Sequence, residues 1–145
     1  MCVAERLVIH GTPERALQWW PTNERRERVA LRFANARPAI ATPLPSIDHY
    51  DTILLAGPIW NVRAPMIMSS FAERYDFSRK TVHPVTTYAI SGLGATPADY
   101  ARACHGARIG PGLAVRGEEV RTSGPAVDGW LRRIGLQRPS AGTGE

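Results

Sequence analysis

The sequence predicts a single α/β domain in which helices cover both faces of a parallel sheet. Three observations predict it. Strand-like and helix-like segments alternate from Asp48 onward. The run Ile53-Leu54-Leu55-Ala56 lacks polar alternation, as a strand covered on both faces requires. The helix-like segments gather their apolar residues on one face, and a strand–helix–strand order implies right-handed crossovers between parallel strands.

Taken in order, Leu7-Val8-Ile9-His10 reads as a strand and Gly11-Thr12-Pro13-Glu14-Arg15 as a turn into a short helix. Residues 23–36 (NERRERVALRFANA) favour a helix with Leu31 and Ala34 inward, stopped by Arg37-Pro38. Pro38, Pro43 and Pro45 make an extended approach to the strand at Ile53–Ala56, which ends on Gly57-Pro58. A loop from Pro58 to Ala64 leads to Pro65, the expected first residue of a helix reaching about Tyr75, with Ile67, Phe71 and Tyr75 on one face. The β-branched segment Thr81–Ala89 is the next strand, and Pro84 predicts irregular pairing near its start. After the small-residue loop Ser91-Gly92-Leu93-Gly94-Ala95, Thr96 is the expected cap of a helix that ends near Cys104, with Gly106 behind it. Arg108-Ile109 to Leu113-Ala114-Val115 is a last strand broken by Gly110-Pro111-Gly112. Ser123 caps the last helix, Pro125 opens it, Val127, Trp130, Leu131 and Ile134 form its apolar face, and Gly135 ends it. Residues 1–136 are read as one domain and residues 137–145 as a disordered tail.

Composition narrows the function classes. A chain of 145 residues is the size of one domain, and 43% hydrophobic with 21% charged residues is globular rather than disordered. The longest apolar run is a few residues and the N-terminus has no leader pattern, so the expectation is a cytoplasmic protein with no membrane association. Cys2 and Cys104 are too few and too far apart for a disulfide framework or a zinc cluster, and read as buried or free thiols. The net charge is +5, and Lys80 is the single lysine among 18 basic residues. That arginine bias reflects a GC-rich coding sequence more simply than a function, and the charge is spread along the chain.

In an open parallel sheet, ligands bind where loops leave the carboxyl ends of strands. Two such loops have special composition. Pro58-Ile59-Trp60-Asn61-Val62-Arg63 places an indole directly after a strand, where it either stacks on a planar ring or packs against the following helix. Tyr88-Ala89-Ile90-Ser91-Gly92-Leu93-Gly94 offers a hydroxyl and backbone N–H groups that glycine lets approach a ligand closely, although such a loop is also a plain turn. The other constellations have simpler readings. His10, His49, His83, Cys104 and His105 lack metal-ligand spacing, so no metal site is expected. Arg25, Arg26, Arg28 and Arg32 beside Trp19-Trp20 alternate with Glu24 and Glu27, as a solvated helix face does, so nucleic acid is not an expected partner. Ser69, Ser70 and Ser91 lack the nucleophile-elbow pattern, and no catalytic residue is assigned.

Several ordered segments resemble the bacterial flavodoxin-like family. They are Tyr50-Asp-Thr-Ile-Leu-Leu-Ala-Gly-Pro-Ile-Trp60, the helix Pro65–Tyr75, Asp76-Phe-Ser-Arg-Lys-Thr-Val82, Ser91-Gly-Leu-Gly94, Cys104-His-Gly-Ala-Arg-Ile-Gly-Pro-Gly-Leu-Ala114 and Trp130-Leu-Arg-Arg-Ile-Gly-Leu136, with Asn35-Ala-Arg-Pro-Ala-Ile40 upstream. The resemblance covers about residues 20–136, residues 1–22 matching poorly. It implies a three-layer α/β/α fold with flavin mononucleotide (FMN) at the strand carboxyl ends. Pro58, Ile59, Trp60, Asn61 and Val62 match the loop lining the isoalloxazine ring. Ala89, Ile90, Ser91, Gly92, Leu93 and Gly94 match the loop at the pyrimidine end and ribityl chain.

The family's phosphate loop is not matched. Gly11-Thr12-Pro13 has one glycine and a proline without an N–H, with Glu14 nearby, and residues 7–10 stand where the family's second strand would, the alternative being its first strand. The family's first strand, phosphate loop and first helix are therefore expected to be missing, which would expose a strand edge that a homodimer could cover. Asn61 stands where many relatives carry a second aromatic. The resemblance implies an FMN-binding redox protein, either an electron carrier with a protein partner or a small NAD(P)H-dependent oxidoreductase. Family members that act as shuttles are acidic, so a charge of +5 favours the oxidoreductase. Arg63 could then stabilise an anionic reduced flavin, although such an arginine is more often only a rim charge. The alternative is a truncated, non-catalytic relative with weak flavin binding or none.

Overall fold

The strand predicted at Ile53–Ala56 runs from Thr52 to Pro58 (β1) and sits at one side of a parallel sheet. The computed structural model describes Arg37, residues 39–40 and residues 43–136. The readings at residues 7–10, 11–15 and 23–36, the tail 137–145 and Cys2 lie outside them. After β1 come α1 (Met66–Arg74), β2 (Thr81–Tyr88), α2 (Thr96–Ala103), β3 (Arg108–Ile109), β4 (Leu113–Arg116), a 3-10 helix (Gly117–Thr122) and α3 (Gly124–Arg133). β2 is central, pairing parallel with β1 on one side and with β3 and β4 on the other.

The sheet's two faces differ. Leu55 and Val82 join Met68, Phe71 and Ala72 of α1 and Tyr100 and Cys104 of the α2 segment in one core. Of the stripe Ile67, Phe71 and Tyr75 read from the sequence, Phe71 is buried while Ile67 and Tyr75 pack at the core's edge, and the buried face is completed by Met68 and Ala72. On the opposite face, His83 of β2 meets Trp130 of α3 edge-on, with ring centroids 6.0 Å apart. Leu54 pairs with His83 and shares its face, yet it is 40% exposed, and Ala56 is exposed too. Among the described residues, burial of β1 is therefore met on the Leu55 side and not at Leu54 and Ala56.

The two irregularities expected from proline and glycine turn out to be one feature. Even-numbered residues of β2 direct their peptide groups toward the last strand: the Lys80 carbonyl accepts from Arg108 N–H at 2.9 Å and the Val82 carbonyl from Gly110 N–H at 2.9 Å. Pro84 is next in that series and has no N–H to give. Opposite it, the last strand is interrupted by Gly110-Pro111-Gly112, which divides β3 from β4. The break is filled from the side. The Pro111 carbonyl accepts hydrogen bonds from Trp130 Nε1–H at 3.0 Å and from the His83 ring at 2.9 Å, which puts the His83 proton on Nδ1. Gly110 permits this, since a Cβ there would stand 2.3 Å from the His83 ring.

At the amino end of the strands, Lys80 is buried and donates to the carbonyls of Asp48 (3.2 Å) and Tyr50 (2.9 Å), clasping the proline-rich approach. Two caps differ from expectation. Ala95, not Thr96, holds the cap position of α2, and Thr96 Oγ1 is buried without a partner among the described residues. Ser123 does precede α3, but its hydroxyl donates back to the Val120 carbonyl at 2.8 Å rather than capping the helix. The stops at Gly106 (φ 76°) and Gly135 (φ 80°) are left-handed, where glycine carries no steric penalty.

Candidate functional site

Both loops singled out in the sequence emerge at the same end of the sheet, since β1 and β2 are parallel and in register. Ile59 N–H continues the ladder by donating to the Thr87 carbonyl at 3.0 Å, so the first loop starts level with the end of β2. Trp60, Asn61, Val62 and Arg63 then form a tight turn closed by two hydrogen bonds, Trp60 N–H to the Arg63 carbonyl (2.9 Å) and Arg63 N–H to the Trp60 carbonyl (3.0 Å). Asn61 (φ 49°) and Val62 (φ 65°) both occupy the left-handed region, as a type I′ turn demands. Asparagine tolerates that conformation; a β-branched valine is strained in it. Trp60 on this turn is 58% exposed.

The second loop is docked against the first. Ala95 N–H donates to the Val62 carbonyl at 2.8 Å, and Gly94 (φ 48°) passes so close that a Cβ would stand 2.4 Å from that same oxygen. Within the loop, Gly94 N–H reaches the Ser91 carbonyl at 3.0 Å, and Thr86 Oγ1 reaches the Gly92 carbonyl at 3.0 Å from its buried position on β2. Leu93 is turned inward, its methyl groups next to Gly112. Ile90 projects outward and is 93% exposed.

Asp99 of α2 fastens the first loop from behind. Its carboxylate accepts from Arg63 Nη2 at 2.6 Å, Arg63 Nε at 3.3 Å and Ala64 N–H at 3.2 Å, and it also pairs with Arg102. The same hydrogen bond and charge raise the Arg63 pKa above the usual arginine value. Arg63 is thus tied to Asp99 while its side chain stays 49% exposed at the rim of the loop.

Between the two loops and the last strand lies an open crevice of about 340 Å³, lined by Ile59, Thr87, Tyr88, Ala89, Arg116, Gly117 and Glu118. That volume is at the low end for small-molecule sites. Of the candidate residues, Ile59 and Ala89 line it directly. Trp60, Asn61 and Val62 form the turn that follows Ile59, Pro58 ends β1 before it, and Ile90, Ser91, Gly92 and Gly94 continue from Ala89, while Leu93 packs beneath. Sequence reasoning missed Arg116, Gly117 and Glu118. Their signal was available, because Arg116 is the carboxyl end of the last strand and the rule applied to the other two strands covers it equally. Arg116 Nη1 meets Glu118 Oε1 at 3.3 Å, and with Tyr88 this raises the Arg116 pKa.

Among the described residues, no group of three His, Cys, Asp or Glu side chains converges on a metal position, and no helix is long and apolar enough to cross a membrane. Cys104 is buried, and burial pushes its thiol up to about 12.

Comparison with known proteins gives a consistent picture. Residues 12–134 match the flavodoxin family. A solved structure assigned as a flavoprotein from Bacteroides uniformis ATCC 8492 is similar at 32% identity and TM-score 0.61, over 74% of this chain and 66% of that one. Another, from Bacteroides eggerthii DSM 20697 and assigned in the same way, is similar at 25% identity and TM-score 0.60, over 81% of this chain and 72% of that one. The chain thus spans just under two thirds of the length of the Bacteroides uniformis protein. No curated protein matches it.

Proposed function

The chain belongs to the flavodoxin family, and from that premise we propose that it is a redox protein holding FMN by its ring in the crevice at the carboxyl ends of β1, β2 and β4. The observation that carries this reading is Trp60, a large exposed indole held on a strained turn beside the crevice. Exposed aromatic area on a fixed backbone suits a planar ring.

The residues present fit the ring. Ile59 and Ala89 supply an apolar wall, and the exposed indole of Trp60, next in the chain to Ile59, is free to turn its face to a bound ring. The N–H groups of Ile90, Ser91 and Gly92 have no backbone acceptor among the described residues, so they are available to the carbonyl oxygens of the pyrimidine edge. The close approach at Gly94 fixes both walls relative to one another. When bound, the flavin supplies the electron transfer. The chain's part is to orient the ring, shield one face and set the local charge. Asp99 is shared by Arg63 and Arg102, so that cluster keeps a net positive charge behind the ring loop, while Arg116, paired with Glu118, lines the crevice itself.

A net charge of +5 disfavours docking on a basic reductase. We therefore read the protein as an oxidoreductase that takes electrons from NAD(P)H rather than as an electron shuttle. The test is spectroscopic: purified protein should carry a yellow chromophore that NAD(P)H bleaches anaerobically. A bound chromophore indifferent to NAD(P)H would point instead to a shuttle.

A further inference from the structure

We infer that Asp99 is the positioning residue of the ring loop, its one carboxylate holding the Trp60–Arg63 turn in the conformation that presents Trp60 at the crevice; this rests on the flavin reading of that crevice. The turn needs an external fastening. Val62 at φ 65° is in a region that a β-branched residue leaves unless its surroundings hold it there. The two hydrogen bonds across the turn join its ends to each other and to nothing else.

Two fastenings reach it from elsewhere. One is the Ala95 N–H on the Val62 carbonyl. The other is Asp99, which grips two successive residues immediately after the strained pair: Arg63 through Nε and Nη2, and Ala64 through its backbone N–H. The side chain is 9% exposed whereas that of Arg63 is 49% exposed, so the carboxylate is the fixed member and the arginine comes to it. An acid in the first turn of a helix is favoured by the helix dipole alone. That preference is satisfied by a carboxylate facing water, and it does not explain contacts to residues 35 and 36 positions away. Holding the turn from α2 also makes the ring loop part of the same rigid unit as the glycine loop, which leads directly into that helix.

The test combines hydrogen–deuterium exchange on the protein without added flavin with FMN titration, for the wild type, Asp99→Ala, Asp99→Asn and Arg102→Ala. In Asp99→Ala, exchange across residues 60–64 should rise about tenfold or more, the scale of losing charge-assisted hydrogen bonds. Exchange in β2 and α1 should stay unchanged while the FMN Kd rises by about tenfold. Asp99→Asn, which keeps an acceptor for the Ala64 N–H, should fall between. Arg102→Ala removes the carboxylate's other partner without touching the loop, and should change neither readout. If Asp99→Ala does not fold, Arg63→Gln makes the same test from the exposed side. Unchanged exchange at 60–64, or a rise spread evenly over the sheet, overturns the inference. A wild type that binds no flavin overturns the proposed function instead, and the exchange result still decides whether Asp99 holds the turn.

Discussion

A Cβ on Gly94 would stand 2.4 Å from the carbonyl oxygen of Val62, the same oxygen that accepts the Ala95 N–H at 2.8 Å. The two loops of the crevice are thus in contact at a point where only glycine fits, at a φ of 48° that alanine also resists. Gly94→Ala should cost about 2 kcal/mol of stability by urea unfolding and weaken FMN binding together with it. Unaltered stability would mean that the loops separate freely and that their contact holds nothing in place.

Trp60 separates binding from stability. Because the indole is 58% exposed, Trp60→Ala should change unfolding free energy by no more than about 0.5 kcal/mol. Loss of one stacking face should raise the FMN Kd by roughly tenfold, the upper range for an aromatic pair. A large loss of stability with unchanged affinity would return Trp60 to a packing role.

The Gly110-Pro111-Gly112 break makes the opposite prediction. Gly110→Ala drives a methyl group into the His83 ring and displaces it from the Pro111 carbonyl, at a cost of about 1–3 kcal/mol. Of the crevice loops, Leu93 meets this break at Gly112, two residues from the substituted position, so the FMN affinity of the folded fraction should change far less than the stability. Thermal unfolding alongside titration distinguishes the two effects.

Cys104 sets a pH dependence at the alkaline side. Its thiol is pushed up to about 12 from an ordinary 9.0, so the folded state keeps the proton that the unfolded chain releases first. Stability from this group is whole below about pH 9 and is lost at up to about 1.4 kcal/mol per pH unit as pH rises toward 12. Tyr100, beside it, is raised for the same reason, burial, and adds to the decline. Alkylation followed by peptide mass measurement should find Cys104 unmodified at pH 8 until denaturant is added.

What could be read from the sequence was whatever depends on neighbours along the chain. The apolar run of β1, the helix faces and the left-handed stops at Gly106 and Gly135 are local, and the structure shows them where expected. Pro84 and Gly110-Pro111-Gly112 were each legible as irregularities, but that one answers the other depends on register across the sheet. The exposed face at Leu54 and Ala56 was not foreseen, because an apolar run does not say what covers each face. Within the site, composition drew attention to two loops and passed over Arg116–Glu118, whose mark is their position at the carboxyl end of the last strand rather than their make-up. The Arg63–Asp99 pair joins residues 36 positions apart, and no local pattern announces it.

The most direct test of the flavin reading is titration of FMN with the purified, flavin-free protein, followed by flavin fluorescence. An indole stacked on the ring quenches its emission, so the account predicts saturable quenching at one flavin per chain, diminished in Trp60→Ala. Emission that stays at the level of free FMN in the presence of a fully folded protein would contradict it.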